Sequence, residues 1–128
     1  MKCRVFAMLT AAALFGAATV QAHHALTIVY LMDRTETIEG DLTELRWQNP
    51  HSRAFVNVRD KAGAVQRYSV EWEAGLQLTH QGVTRETLKV GDHLIITGNP
   101  GRRAGDHILR LRTVFRPKDG WRWHGTFE

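Results

Sequence analysis

From Ser52 to Glu73 apolar and polar residues alternate with a period of two, interrupted once by Asp60-Lys61-Ala62-Gly63. Ala54, Val56 and Val58 share one face, with Phe55, Asn57 and Arg59 opposite. After the interruption Tyr68, Val70 and Trp72 share a face, with Arg67, Ser69, Glu71 and Glu73 opposite. That spacing is the period of a pleated strand. The interruption supplies a glycine able to take positive φ, so the stretch predicts an antiparallel hairpin. A hairpin cannot bury its apolar face alone, so the rest of the chain has to supply more sheet and a closed or layered core.

The remaining chain has the same period. Leu26–Leu31 reads as a short strand. Thr35–Trp47 reads as a longer one whose alternation falters at Gly40, where a bulge or sharp coil is expected. Asn49-Pro50 stops the pairing, because proline lacks an N–H and restricts the residue before it. Ala74–Gln81 suits one or two helical turns ending at Gly82. Thr84–Leu88 suits a second short turn, with Thr84 as its cap and Thr87 at the third position. Gly91-Asp92 introduces a buried strand from His93 to Gly98, and Ile108–Phe115 is the last strand. Five or six strands, a coiled first long strand and a short helical insertion predict a mainly β fold, a small OB-like barrel. A β-sandwich is the alternative. The expected core is Ile38, Leu42, Val56, Val58, Tyr68, Val70, Leu88, Leu94, Ile96, Leu109 and Leu111, with Trp72 alternating into it.

At the amino terminus Lys2 and Arg4 precede an apolar run from Val5 to Val20, which ends in Val20-Gln21-Ala22. This is the pattern of a cleaved secretory signal peptide spanning residues 1–22, and the run is short for a membrane span of ~20 residues. Cleavage leaves a single domain, residues 23–128, in the periplasm. It removes Cys3, the only cysteine, so packing rather than disulfides has to stabilise the domain. It also lowers the basic residues from 17 to 15 against 13 acids, a net charge of +2. An exported domain with that balance is not expected to bind nucleic acid. The arginines from Arg102 to Arg116 read as a solvated face.

Certain residues carry a resemblance. They are Ala22-His23-His24, W-x-N-P-H at Trp47 to His51, L-x-x-G-D-x(5)-G-x-P at Leu88 to Pro100, and Asp119-Gly120. In this order they resemble a family of small secreted bacterial proteins, mostly from Gram-negative species, classed as a domain of unknown function. The chain departs from that pattern at Ala25-Leu26, where relatives read S-F, and at Val83, where they carry tryptophan. The resemblance implies export and a β-barrel, and no activity.

Seven histidines follow residue 22. Cleavage would make His23 the first residue, so that its α-amine and ring nitrogen could chelate one metal ion, and His24 would stand next to it. His51, beside a proline-stiffened turn, could present a third nitrogen. Nitrogen donors of this kind suit copper best among the divalent ions. The expected metal set is therefore His23, His24 and His51, with copper as the ion. His80, His93, His107 and His124 follow no ligand spacing. Glu71 and Glu73 read as charges on an exposed strand face. No G-x-S-x-G elbow, Cys/His pair or phosphate-cradling glycine loop is present, so no enzyme is expected. The alternative function is a non-catalytic interaction module that docks on an envelope partner through its Arg-rich and Trp-rich carboxyl end, where Trp121 and Trp123 flank Arg122.

Overall fold

The structure is a computed structural model and describes residues 25–125. Six strands follow one another: β1 (Glu36–Arg46), β2 (Arg53–Arg59), β3 (Val65–Glu71), β4 (His93–Pro100), β5 (Ile108–Arg116) and β6 (Trp121–His124). Two short helical pieces accompany them, α1 at residues 25–29 and α2 at Gly75–His80. No described helix is long and apolar enough to cross a membrane.

β1 pairs antiparallel with both β2 and β4, β2 with β3, and β4 with β5. A short parallel pairing of Ser69–Glu71 with Ile108–Arg110 joins β3 to β5 and closes the ring. The cyclic order β1-β2-β3-β5-β4, with a helix between β3 and β4, is that of an OB-like barrel, and it replaces the sandwich alternative. β5 divides its second edge. Its first residues pair with β3, and Thr113–Arg116 pair with β6.

β1 can serve both halves of the barrel because of Gly40, which pairs with Val58 on one side and Leu94 on the other. A Cβ there would lie 2.1 Å from the Asn57 carbonyl oxygen, so the position has no room for a side chain. Of the bulge or sharp coil expected at Gly40, the bulge lies instead between Leu42 and Glu44, where the Thr43 hydroxyl donates to the Phe55 carbonyl at 3.1 Å. Gly98 repeats the device on β4, beside a register slip and against the Arg110 carbonyl.

The core follows the expected list. Val58 and Tyr68 are only half-buried, near one end, and Ala54, Leu78, Val83, Val114 and Trp123 join it. Leu78 of α2 and Val83 close the other end, and there Trp72 and Trp123 meet edge to face at 5.2 Å. The strand expected at Leu26–Leu31 is not formed. Residues 25–29 are helical, with the Tyr30 amide bonded to the Leu26 carbonyl at 2.8 Å, and only Tyr30 bridges the sheet, at Gly101. The β-branched run favours a strand, but tertiary surroundings override that local preference.

The Gly91-Asp92 element is a clamp. Gly91 takes φ +93°, and the buried Asp92 carboxylate accepts the Lys89 amide at 3.0 Å, Arg116 at 2.7 Å and Lys118 at 2.5 Å. It thereby ties the β3–β4 connection to the β5–β6 hairpin. Burial alone would raise its pKa, but hydrogen bonds from Lys118, the Lys89 amide and Arg116 outweigh burial and hold it at about 2, below the ordinary 3.8. A depressed carboxylate contributes stability that is complete above its unfolded pKa and lost as pH falls through its folded one. Asp92 is therefore expected to contribute about 2 kcal/mol that disappears between pH 4 and 2. Urea midpoints measured across that range should fall more steeply for the native protein than for Asp92→Asn. Parallel curves would remove the clamp.

Candidate functional site

The W-x-N-P-H element forms the β1–β2 loop and is pinned along its length. The Trp47 ring lies so close to Gly75 that a Cβ there would meet its indole nitrogen at 2.4 Å. The Gln48 carbonyl accepts the Gly75 amide at 3.1 Å, and Asn49 Oδ1 accepts the Leu76 amide at 3.3 Å. The Asn49–Pro50 peptide is cis. Ser52 is fully buried, its amide bonded to the Glu73 carbonyl and its carbonyl accepting the Trp72 amide, so the β2–β3 ladder runs on past both strands. His51 therefore projects from a loop fixed on both sides. Its side chain is 44% exposed, and Nε2 lies 3.8 Å from Glu71 Oε1.

Glu71 is the centre of this face, and it is buried rather than exposed. Its Oε1 accepts Arg110 Nη1 at 2.9 Å, its Oε2 accepts the Tyr30 hydroxyl at 2.8 Å, and Arg53 Nη2 lies at 3.5 Å. The register lines up Arg53, Glu71, Arg110 and Asn99 across four strands. The segment following α1 covers this row. Tyr30 is 2% exposed, and Asn99 donates to the carbonyls of Met32 and Arg34 while accepting Arg112 Nε at 2.8 Å. Burial, followed by the hydrogen bond to Glu71, pushes the Tyr30 hydroxyl far above its ordinary range, so it stays a proton donor. Two arginines more than offset the charge of Glu71, which suits it to fixing neighbours rather than to ligating a cation.

Glu73, expected on the same exposed face, is buried as well. Its Oε2 accepts Gln81 Nε2 at 2.9 Å, and Gln81 Oε1 accepts Trp123 Nε1 at 2.9 Å, a chain that joins the β3–α2 connection, the end of α2 and β6. Its Oε1 has no partner among the described residues, and burial pushes its carboxyl up.

The expected metal set is only partly in view. His23 and His24 lie outside the described residues, and His51 is its one described member. Among the described residues no group of three or more His, Cys, Asp or Glu is arranged to hold a metal. Tyr30, six residues beyond His24, and His51 nonetheless approach opposite oxygens of one carboxylate. His93, read as an ordinary histidine, is held between Asp41 at 2.7 Å and Glu39 at 2.9 Å. Those two hydrogen bonds, Glu39 first, push its pKa up.

The carboxyl-terminal arginines are not a free solvated face. Arg110 is buried on Glu71, Arg116 pairs with Asp92 and Asp119, and Arg122 lies 3.9 Å over the Phe115 ring. Trp123 is buried and Trp121 packs against the core beneath Arg116, so these rings cover a barrel end.

No curated protein and no solved structure matches the chain. One family does match, over residues 11–110, a span that begins in the apolar run, includes His51, Glu71 and Arg110, and stops before β6. With most of its length matched, the chain belongs to the family of unknown function DUF6152.

Proposed function

We propose that this is an exported, periplasmic metal-binding protein that holds one copper(II) ion. The donors are the α-amine and ring of His23 together with His51, with His24 as an alternative or fourth nitrogen. The observation that carries the reading is the shared carboxylate. Glu71 is touched by the Tyr30 hydroxyl, six residues after His24, and lies 3.8 Å from His51 Nε2. Six positions along the chain separate His24 from the tyrosine that meets the carboxylate beside His51. Glu71, held by Arg110 and Arg53, lies 3.8 Å from Nε2, where a small movement of the half-exposed ring would make it the outer partner of a ligating imidazole and leave Nδ1 for the metal. Export rests on the charged start, the apolar run and the small-residue end at Ala22.

Two donors on one residue lose little extra freedom when both bind, and a loop-fixed histidine adds a pre-positioned third. Copper affinity should fall as pH drops through the range where free imidazole and α-amine take up protons, because protons compete for the same lone pairs. Copper titration with electron paramagnetic resonance is the test. Protein beginning at His23 should bind one equivalent. A version with one residue added before His23, and His51→Ala, should each bind at least tenfold more weakly, whereas His107→Ala should match the native protein. Equal affinity in all of them would make the histidines bystanders.

A further inference from the structure

The two ends of the barrel differ. α2, Val83 and Trp123 close one. At the other, Glu36, Val58 and Tyr68 occupy the inward-facing positions of β1, β2 and β3, and the β4–β5 loop, residues 101–107, stands at the rim. Two cavities of about 330 and 490 Å³ open here and share Glu36, Tyr68 and His107 in their walls. Each is within the size range of small-molecule sites, and a barrel mouth is a usual place for one.

The walls say what kind of molecule fits. The Tyr68 hydroxyl donates to Glu36 Oε1 at 3.0 Å, so one oxygen of that carboxylate is engaged. Asp60 is engaged too, accepting the amides of Ala62 and Ala64 at 2.9 Å. Arg34 and Arg103 line the smaller cavity, and neither has an acidic partner among the described residues. His107 adopts φ +47°, a left-handed conformation that a non-glycine residue holds only where its surroundings enforce it. Its carbonyl accepts the Ser69 amide at 2.9 Å, and its ring lies 5.0 Å from that of Tyr68, tilted by 46°. The mouth thus combines two guanidinium forks that have no acidic partner among the described residues, a group that suits planar or tetrahedral oxyanions, with a wall of two rings.

We propose that this mouth is a binding site for small anions bearing a carboxylate or phosphate group, held by Arg34 and Arg103 with the body of the ligand against Tyr68 and His107. It is separate from the proposed copper site, since it uses neither His51 nor the residues before Ala25. The test is a pair of amide NMR titrations at constant ionic strength, one with inorganic phosphate and one with benzoate. Saturable shifts are expected at Arg34 and at residues 101–107, with either probe or both, and the responding probe assigns the anion class. The Arg34→Ala/Arg103→Ala double variant, whose substitutions are both at exposed positions, should bind at least tenfold more weakly, while His51→Ala should leave affinity unchanged. A native-like spectrum of the double variant before titration confirms that it folds. Two results would overturn the site: shifts that fail to saturate in the millimolar range with both probes, or equal affinity in the double variant.

Discussion

Glu71→Ala is expected to destabilise the protein by about 3–5 kcal/mol, although Glu71 sits on the strand face opposite the core. The substitution removes the carboxylate that Arg110, 6% exposed, meets at 2.9 Å, and leaves the Tyr30 hydroxyl without its acceptor. Breaking a buried pair by removing one partner costs far more than exchanging both for apolar groups, because the surviving charge stays desolvated. The double change Glu71→Leu/Arg110→Met should therefore be less damaging than Glu71→Ala alone. Urea unfolding of the three proteins separates the accounts. If Glu71→Ala cost no more than a few tenths of a kcal/mol, the cover formed by Tyr30 over this pair would not hold in solution.

The second large effect is on the adjoining residue. Val70 is fully buried, paired with Ala54 on β2 and Leu109 on β5, at the seam where the barrel closes. Val70→Asp puts a carboxyl group there with no donor to receive it, at a cost of several kcal/mol even after it takes up a proton. Domains of this size have only about 5–15 kcal/mol in total, so the protein should be largely unfolded at neutral pH by circular dichroism. Val70→Ala, which leaves only a small void, should still unfold cooperatively with a loss of roughly 2 kcal/mol. A folded Val70→Asp would mean that this seam opens.

Together the two substitutions show how far the alternation reads. It assigned the faces of β3 correctly: Val70 and Trp72 point inward and Glu71 outward, as the period of two requires. It carried no information about what lies over the outer face. Tyr30, which covers Glu71, is 41 residues away in sequence and arrives on a segment whose own pattern favoured a strand. The only local signal was an arginine in mid-strand between Leu109 and Leu111, and such residues are usually solvated.

The strand limits of β1 to β5 were legible to within two residues, because Pro50, Gly63 and Gly91-Asp92 mark several of their ends locally. The bulge at Thr43 was not, since a register slip belongs to two strands and only the need for space at Gly40 shows in one. β6 was missed because four residues are too few to show a period, although Asp119-Gly120 announced its turn. For the proposed copper site, the sequence singled out His51 beside a proline-stiffened turn. It did not reveal the neighbouring carboxylate, which the β2–β3 register brings up from Glu71.

The divided second edge of β5 bears on how the protein avoids its own kind. A barrel closed by only three parallel pairs leaves the far half of β5 with unpaired backbone groups, a template onto which a second chain could add a strand. β6 occupies that template from within the same molecule, guided by a tight turn in which Gly120 bonds back to the Arg116 carbonyl at 3.0 Å. The edge left facing outward is then only four residues long and carries Arg122 and His124, a length and a charge that discourage pairing between molecules. A chain ending at Arg116 would keep every strand of the closed ring and yet expose the surface from which aggregation starts.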